Sequence, residues 1–286
     1  MKRRTFIKRS LITAGALALP GRPALAGQNT LRFGLTPVFL SSDLTLLINL
    51  RQYLEKTTGQ EVELVQRRTY QEITSLLVAG QLDAAWICGY PLVQFRDSLA
   101  LMSVPVWRGQ QKYQSYLIGK PDRQASSIND LKGDLHCFSD PNSNSGYLVT
   151  RALLADLNTR PDTYFKKAFF AYGHRNVVRA VSAGLAQSGS VDGYVWEVLN
   201  NLEPGLTEKT KVLWKSPWYG FPPIATPIAA AGTEQFKMLQ RSLLNMHKDA
   251  LGRSILDLLQ LDSFGRPDAE KFSAIEDLVR KIRASG

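Results

Sequence analysis

From Leu31 onward, short apolar runs alternate with stretches whose apolar residues recur at helical spacing, and this alternation constrains the fold more than any other feature. Leu31–Thr36 reads as a strand, and Asp43–Lys56 as a helix with Leu46, Leu47, Leu50 and Leu54 on one face, closed by Thr57-Thr58-Gly59. Glu61–Gln66 is a second strand. Tyr70–Ala79 is a helix capped by Thr69 and ended by Gly80, and strands follow at Leu82–Cys88 and Leu99–Trp107. Tyr113–Gly119 crosses into a second lobe, where Leu135-His136-Cys137-Phe138 precedes a helix from Tyr147 to Leu157. Further strands are expected at Ala168–Tyr172 and Gly193–Trp196, with a helix at His174–Gly184 between them. Lys211–Lys215 crosses back, Pro227–Ala231 returns to the first lobe, and three helices finish the chain. Strands alternating with helices argue for parallel α/β sheets, which bind ligands beyond the carboxyl ends of their strands. Two such sheets joined by two crossing strands form a hinged clamp.

One turn stands out chemically. Asp140-Pro141-Asn142-Ser143-Asn144-Ser145-Gly146 places two serine hydroxyls and several free backbone N–H groups where a helix begins. Those N–H groups have no intrahelical partner and the helix dipole makes that end positive, so an oxyanion fits there without a cationic side chain. An ordinary N-cap would use the same residue types.

The ends of the chain carry a different signal. Lys2-Arg3-Arg4-Thr5-Phe6-Ile7-Lys8 resembles a twin-arginine export signal; a modest apolar run from Leu11 to Leu19 and the small-x-small triplet Ala24-Leu25-Ala26 follow it. The run is interrupted by Pro20 and falls well short of the about 20 residues of a membrane span. Cleavage near Ala26 would remove six Lys and Arg residues, so the net charge of +10 falls to +4 in the mature chain. That mild excess, without a basic stripe interleaved with aromatics, excludes nucleic acid as the expected partner. The 260 residues that remain suit two lobes of about 100–150 residues each, expected as 27–115 with 212–286 and as 116–211. Cys88 and Cys137 fall in different lobes; a bridge would lock the clamp, so free thiols are expected.

Asp140 to Val149 resembles the Asp-Pro-Asn-Ser-(Thr)-Ser-Gly-aromatic-Leu-Val stretch of the periplasmic phosphonate-binding family, the substrate-binding proteins of phosphate, phosphite and phosphonate ABC importers. Asn144 stands in the Thr place. Leu82-Asp83-Ala84-Ala85-Trp86, Gly173-His174 before Ala180-Val181, Val191-Asp192, and Trp214-Lys215-Ser216-Pro217 match further motifs of that family, in its order. The resemblance implies a two-lobed periplasmic binding protein of α/β class, type II-like, each lobe a mostly parallel sheet flanked by helices and the two crossing strands a hinge. It implies a monomer that delivers a small oxyanion to an ABC permease, with no cofactor. By position in the family's motifs, Tyr70, Tyr113, Ser143, Asn144, Ser145 and His174 are the expected ligand contacts. Thr36, Phe39, Gly89, Tyr90, Gly146, Asp192 and Glu197 form a wider set at the cleft ends of strands and the starts of helices.

Two departures from the family bear on the ligand. Amine-binding relatives place an Asp in a Gly-Asp-Pro-Ile context after Trp-Lys-Ser-Pro, where this chain reads Gly220-Phe221-Pro222-Pro223-Ile224. Pro222 cannot pair an ammonium, which argues for a compact anion such as phosphate, phosphite or a simple phosphonate, with Glu197 a replacement acid. Cys88, in Trp86-Ile87-Cys88-Gly89-Tyr90-Pro91, stands where other members carry an aromatic and a Gly. Buried packing explains a small residue there. The alternative is a thiolate of lowered pKa at a helix start, similar to the arsenite-sensor branch of the family, which reports to a membrane histidine kinase. Enzyme readings lack their motifs: no His-x-x-x-His, paired-Cys, Gly-x-Ser-x-Gly or Walker pattern is present, and His136, His174 and His247 are dispersed. A phosphoester hydrolase is the remote competitor.

Overall fold

The computed structural model describes residues 30–37 and 44–285. The signal-like segment and Phe39 lie outside them. Among the described residues thirteen strands run in chain order as β1 Leu31–Leu35, β2 Val62–Gln66, β3 Ala84–Trp86, β4 Leu99–Val106, β5 Lys112–Tyr113, β6 Ser115–Gly119, β7 Leu135–Phe138, β8 Lys167–Phe170, β9 Ser188–Asp192, β10 Lys211–Lys215, β11 Tyr219–Gly220, β12 Ile224–Pro227 and β13 Ser263–Gly265. They form a six-stranded sheet of order β13-β4-β12-β3-β1-β2, a five-stranded sheet of order β10-β6-β9-β7-β8, and the two-stranded ribbon β11-β5.

β1, β2 and β3 are parallel, and β4 shares their direction because β12 runs antiparallel to both β3 and β4. In the second sheet β7, β8 and β9 are parallel, and β6 is the reversed strand, antiparallel to β9 and β10. The reversed strands lie next to the chain crossings. Gln111 to Gly119 and Lys211 to Phe221 run side by side: Phe221 N–H donates to Gln111 O, Tyr219 pairs with Tyr113, and Ser216 and Ser115 exchange bonds of 2.8 and 2.9 Å. The hinge is thus a hydrogen-bonded antiparallel pair rather than two separate strands.

Local sequence explains most elements. The helix Leu44–Thr58 buries Leu46, Leu50, Tyr53 and Leu54 against the first sheet. Thr69 and Glu72 form a reciprocal capping box at the start of Tyr70–Val78. Two expectations are overturned: the strand that returns to the first sheet is Ile224–Pro227, with Ile228–Ala230 a 3-10 turn, rather than Pro227–Ala231; and Gly193–Trp196 opens the helix Gly193–Leu202, the strand being the preceding Ser188–Asp192, buried along its whole length. The strand has small residues because the helix His174–Ser182 lies on it; a Cβ on Gly189 would sit 2.6 Å from Val177 Cγ1. Asp192 ends the strand by accepting from Tyr194 N–H and Val195 N–H, which starts the helix.

Candidate functional site

Most candidate groups sit at or just beyond the carboxyl end of a parallel strand, whereas Tyr113 lies in the antiparallel ribbon strand β5. Thr36 follows β1, Tyr70 follows β2, and Cys88 follows β3. From the second sheet, Ser139 to Gly146 follow β7, His174 follows β8, and Asp192 ends β9. Tyr70, Cys88, Tyr113, Ser143, Asn144, Ser145, His174 and Asp192 are each at most 2% exposed. The two sheets therefore present their loops to one another across a dry seam.

The turn after β7 forms a π-helical start, Asn144–Leu148, that continues as the α-helix Val149–Asp156. Gly146 N–H donates to Ser143 Oγ at 3.0 Å, and Ser139 N–H donates to Gly146 O at 3.2 Å. Only glycine fits this fold-back: a Cβ on Gly146 would lie 1.8 Å from Ser139 Oγ. Ser145 O accepts from Ser115 Oγ at 2.6 Å, which ties the turn to the hinge.

Contacts across the seam are direct. Tyr70 N–H donates to Asp140 Oδ2 at 3.2 Å, and Asn144 Nδ2 donates to Tyr113 Oη at 3.0 Å. Asn144 N–H donates to Cys88 Sγ at 3.2 Å. His174 Nδ1 accepts from Asp192 N–H at 3.0 Å, so a neutral ring carries its proton on Nε2 and donates it to Tyr70 Oη at 3.0 Å. Tyr70 Oη in turn reaches Pro37 O at 3.3 Å. Burial holds the His174 pKa down to about 3, which keeps that ring neutral.

The electrostatics follow from burial without counter-charge. Desolvation pushes Asp192 up to about 8 against the bonds from Val195 and Tyr194, and it raises Tyr70 and Tyr113 well above the usual phenol range. Cys88 is pushed up to about 11 by burial, which outweighs the N–H bonds from Asn144 and Tyr90. Of the two readings of Cys88 this disfavours the alternative, a thiolate of lowered pKa, and agrees with buried packing: Cys88 is a neutral thiol and a hydrogen-bond acceptor. Both cysteines are free. Three buried polar atoms here have no hydrogen-bond partner among the described residues: Ser139 Oγ, Asn144 Oδ1 and Ser145 Oγ. Ser145 Oγ lies close enough to Asp192 and Tyr113 to favour their ionised forms, yet bonds neither. Orphaned polar atoms in a dry site are costly unless something else satisfies them.

The wider set separates. Thr36 Oγ1 donates to Trp86 O at 2.8 Å, which joins the ends of β1 and β3. Gly89 is a packing position, where a Cβ would meet Ile275 Cδ1 at 2.7 Å. Tyr90 is half-buried, and Arg151, Tyr147 and Arg283 act on its hydroxyl, away from the seam. Glu197 is not brought to the site: Tyr116 Oη and Arg108 Nη2 hold its oxygens at 3.0 and 3.2 Å. Pro222 is buried with its carbonyl accepting from Trp86 Nε1 at 2.9 Å. Sequence reasoning did not single out Ser139 or the Asp140 carboxylate. Asp140 combines an Asx turn, accepting from Asn142 N–H, with the bond across the seam, and only the second element reveals the latter.

The family model for the periplasmic phosphonate-binding substrate-binding protein of ABC transporters matches residues 33–272. The chain belongs to this family. Phosphate-import protein PhnD of Mycolicibacterium smegmatis is 29% identical over 204 residues, covering 65% of this chain and 63% of that protein. The chain thus matches under two-thirds of the length of that curated relative. Two solved structures share the fold. A binding-protein component of an ABC phosphonate transporter from Pseudomonas aeruginosa superposes with a TM-score of 0.81 at 23% identity, covering 90% of this chain and 88% of that one. PhnD1 from Prochlorococcus marinus in complex with methylphosphonate gives 0.79 at 22% identity, covering 89% and 98%. The family is one of two-lobed periplasmic binding proteins, which agrees with the two facing sheets and the ribbon between them.

Proposed function

We propose that this protein captures a compact phosphorus oxyanion between its lobes in the periplasm and delivers it to an ABC permease. The observation that carries the reading is the cluster of orphaned buried polar atoms, Ser139 Oγ, Asn144 Oδ1 and Ser145 Oγ, at the turn that faces Tyr70, Tyr113 and His174. Neutral hydroxyls and amides fixed in a dry site bind an oxyanion by charge-assisted hydrogen bonds, each stronger there than in water. Phosphate, named for the Mycolicibacterium relative, and methylphosphonate, named for the Prochlorococcus structure, are the first ligands to test. The N-terminal twin-arginine-like segment is the export signal in this reading; the first residue of the protein recovered from periplasm tests it.

Pro222 sets the selectivity within this class. Its carbonyl is committed to Trp86, and Glu197, the remaining acid considered for an amine, is committed to Arg108 and Tyr116. An ammonium brought into the seam would be desolvated without either partner. Titration calorimetry with phosphate, phosphite, methylphosphonate and 2-aminoethylphosphonate is the test. The amine-free anions are expected to bind at least tenfold more tightly than 2-aminoethylphosphonate. Absence of binding by all of the amine-free anions would overturn the assignment; equal affinity for the amine would overturn the selectivity argument alone.

A further inference from the structure

Four non-glycine residues among those described adopt the left-handed backbone, Arg108, Asn158, Tyr172 and Gln260, with φ of 50° to 52°. Asparagine tolerates that conformation, whereas the other three are strained by their Cβ. Each of those three carries a contact between the lobes. Arg108 Nη2 reaches Glu197 Oε2 at 3.2 Å, and Gln260 Oε1 accepts from Asn201 Nδ2 at 2.8 Å. Both partners lie on the helix Gly193–Leu202, which starts at the hinge. Tyr172 stands elsewhere: the Arg68 guanidinium lies over its ring, with Cζ 5.4 Å from the centroid.

The strand orders place this contact at the mouth of the clamp. Arg68 follows β2 and Tyr172 follows β8, each the outermost strand of its sheet. In the first sheet β3 and β1 separate β2 from β12, and in the second β9 and β7 separate β8 from β6. Both residues therefore lie at the edge remote from the hinge-linked strands. Tyr70 and His174, which meet at 3.0 Å, come two residues further along each segment and form the adjoining pair across the same seam.

The turn itself does not need a tyrosine. Ala171 N–H donates to Phe138 O at 2.8 Å, Gly173 N–H to Ser139 O at 3.2 Å, and Asn176 Nδ2 to Ala171 O at 3.0 Å. Bonds within one lobe thus impose the left-handed residue, and glycine would adopt it without strain. What the ring touches accounts for the tyrosine. Glu72, the carboxylate that Arg68 acts on, is committed to the Thr69 cap, which leaves the guanidinium to the ring. The ring quadrupole attracts a cation held over its face.

We propose that Arg68 and Tyr172 are the release-determining residues of the clamp: stacked across its mouth, they must part before a captured oxyanion can leave. They are positioning residues, which hold closed the edge beside Tyr70 and His174. The left-handed turn presents the ring to the facing lobe beforehand, so that little backbone freedom is lost when the lobes meet. An exposed cation–π pair changes a rate or equilibrium constant about 2- to 5-fold. That is enough to set release and too little to lock the clamp.

The proposal rests on the oxyanion reading above, and binding kinetics separate the two. Phosphorus NMR reads the exchange of phosphite and methylphosphonate between free and bound forms, and calorimetry gives the affinities, so release and capture rates follow for each protein. Arg68→Met and Tyr172→Leu are each expected to release the anions about 2- to 5-fold faster, with the capture rate of the Tyr172 variant unchanged. Tyr172→Phe, which keeps a ring under the guanidinium, should release within about twofold of wild type. The double variant Arg68→Met with Tyr172→Leu should release no faster than either single variant, because all three lose the same contact. Tyr172→Gly separates the clasp from the fold. It should release as fast as Tyr172→Leu yet melt at a higher temperature, because glycine relieves the left-handed turn. Single variants that release at the wild-type rate, or a double variant whose acceleration is the product of the two, overturn the proposal and leave the oxyanion reading standing. A Tyr172→Phe variant that releases as fast as Tyr172→Leu does the same. A wild type that binds neither anion overturns both.

Discussion

Ser143 and Ser145 differ by two residues in sequence and by their whole hydrogen-bond inventory. Ser143 Oγ accepts from Gly146 N–H, so it is part of the turn; Ser145 Oγ has no partner among the described residues. Ser145→Ala should therefore leave the melting temperature unchanged or slightly raised, because it deletes a buried orphan. It should weaken oxyanion binding by the loss of one charge-assisted bond, on the order of 1.5–3 kcal/mol. Ser143→Ala should lose stability as well, about 1 kcal/mol, because Gly146 N–H is stranded. Melting curves and calorimetry on the two single variants check the divergence; equal losses of stability would mean that Ser145 is structural. At this scale the sequence motif named both serines but could not rank them. The ranking depends on Ser139, immediately before the turn, and on Asp192, which approaches from another strand. Cys88 left two readings open for a related reason: a helix start that lowers a thiol pKa is visible locally, while the burial that raises it, against the Asn144 N–H bond, comes only with the folded chain.

Elements were legible where polar and apolar residues alternate with the period of the element, and illegible where packing reverses that rule. The strand Leu135–Phe138 and the Thr69 cap are written in adjacent residues. Ser188-Gly189-Ser190 is not, because its small polar residues are central in a buried sheet. What makes them acceptable there is His136: its Nδ1 and Nε2 each lie 2.8 Å from Ser188 Oγ and Ser190 Oγ, and its ring stacks on Phe165 at 4.3 Å. Burial holds its pKa down to about 3. A histidine whose folded pKa is lowered binds fewer protons than the unfolded chain does between pH 3 and pH 6.5, so its contribution falls as pH drops through that window. His174 acts in the same direction, whereas Asp192, whose pKa is raised, favours the folded state as pH falls from 8 towards 4. The difference between wild type and a single variant isolates one group. His136→Gln, which keeps a donor and an acceptor, should be less stable than wild type at pH 7.5 and should close that gap at pH 4.5. Urea unfolding at the two pH values measures it; a gap that widens in acid would reverse the assignment.

At the scale of the molecule, the two-lobed plan was legible because strand–helix alternation fixes it, but what couples the lobes was not. The C-terminal helix Ser273–Ala284 reads as one of three amphipathic helices, with no sequence mark of its partners. In the structure it bridges the lobes, packing on Gly89–Gln94 of the first and on Val149–Asp156 of the second. Glu276 reaches Arg96 at 3.3 Å, and Lys281 reaches Asp156 at 2.8 Å. These ion pairs are largely solvent-exposed and are worth at most about 1 kcal/mol each. Ile275 differs: it is fully buried, and its Cδ1 lies 2.7 Å from where a Cβ on Gly89 would sit, next to Cys88 in the chain. Removing three of its carbons leaves a cavity beside Gly89, so Ile275→Ala should cost about 2–5 kcal/mol, whereas Glu276→Ala should cost under about 1 kcal/mol. The Ile275 variant should also weaken oxyanion binding, because Cys88 Sγ, which receives Asn144 N–H across the seam, loses its backing. Urea unfolding and phosphite titration on the two variants decide the matter. Equal and small effects would show that the helix merely covers the surface, and a stability loss with unchanged affinity would confine its role to packing in the first lobe.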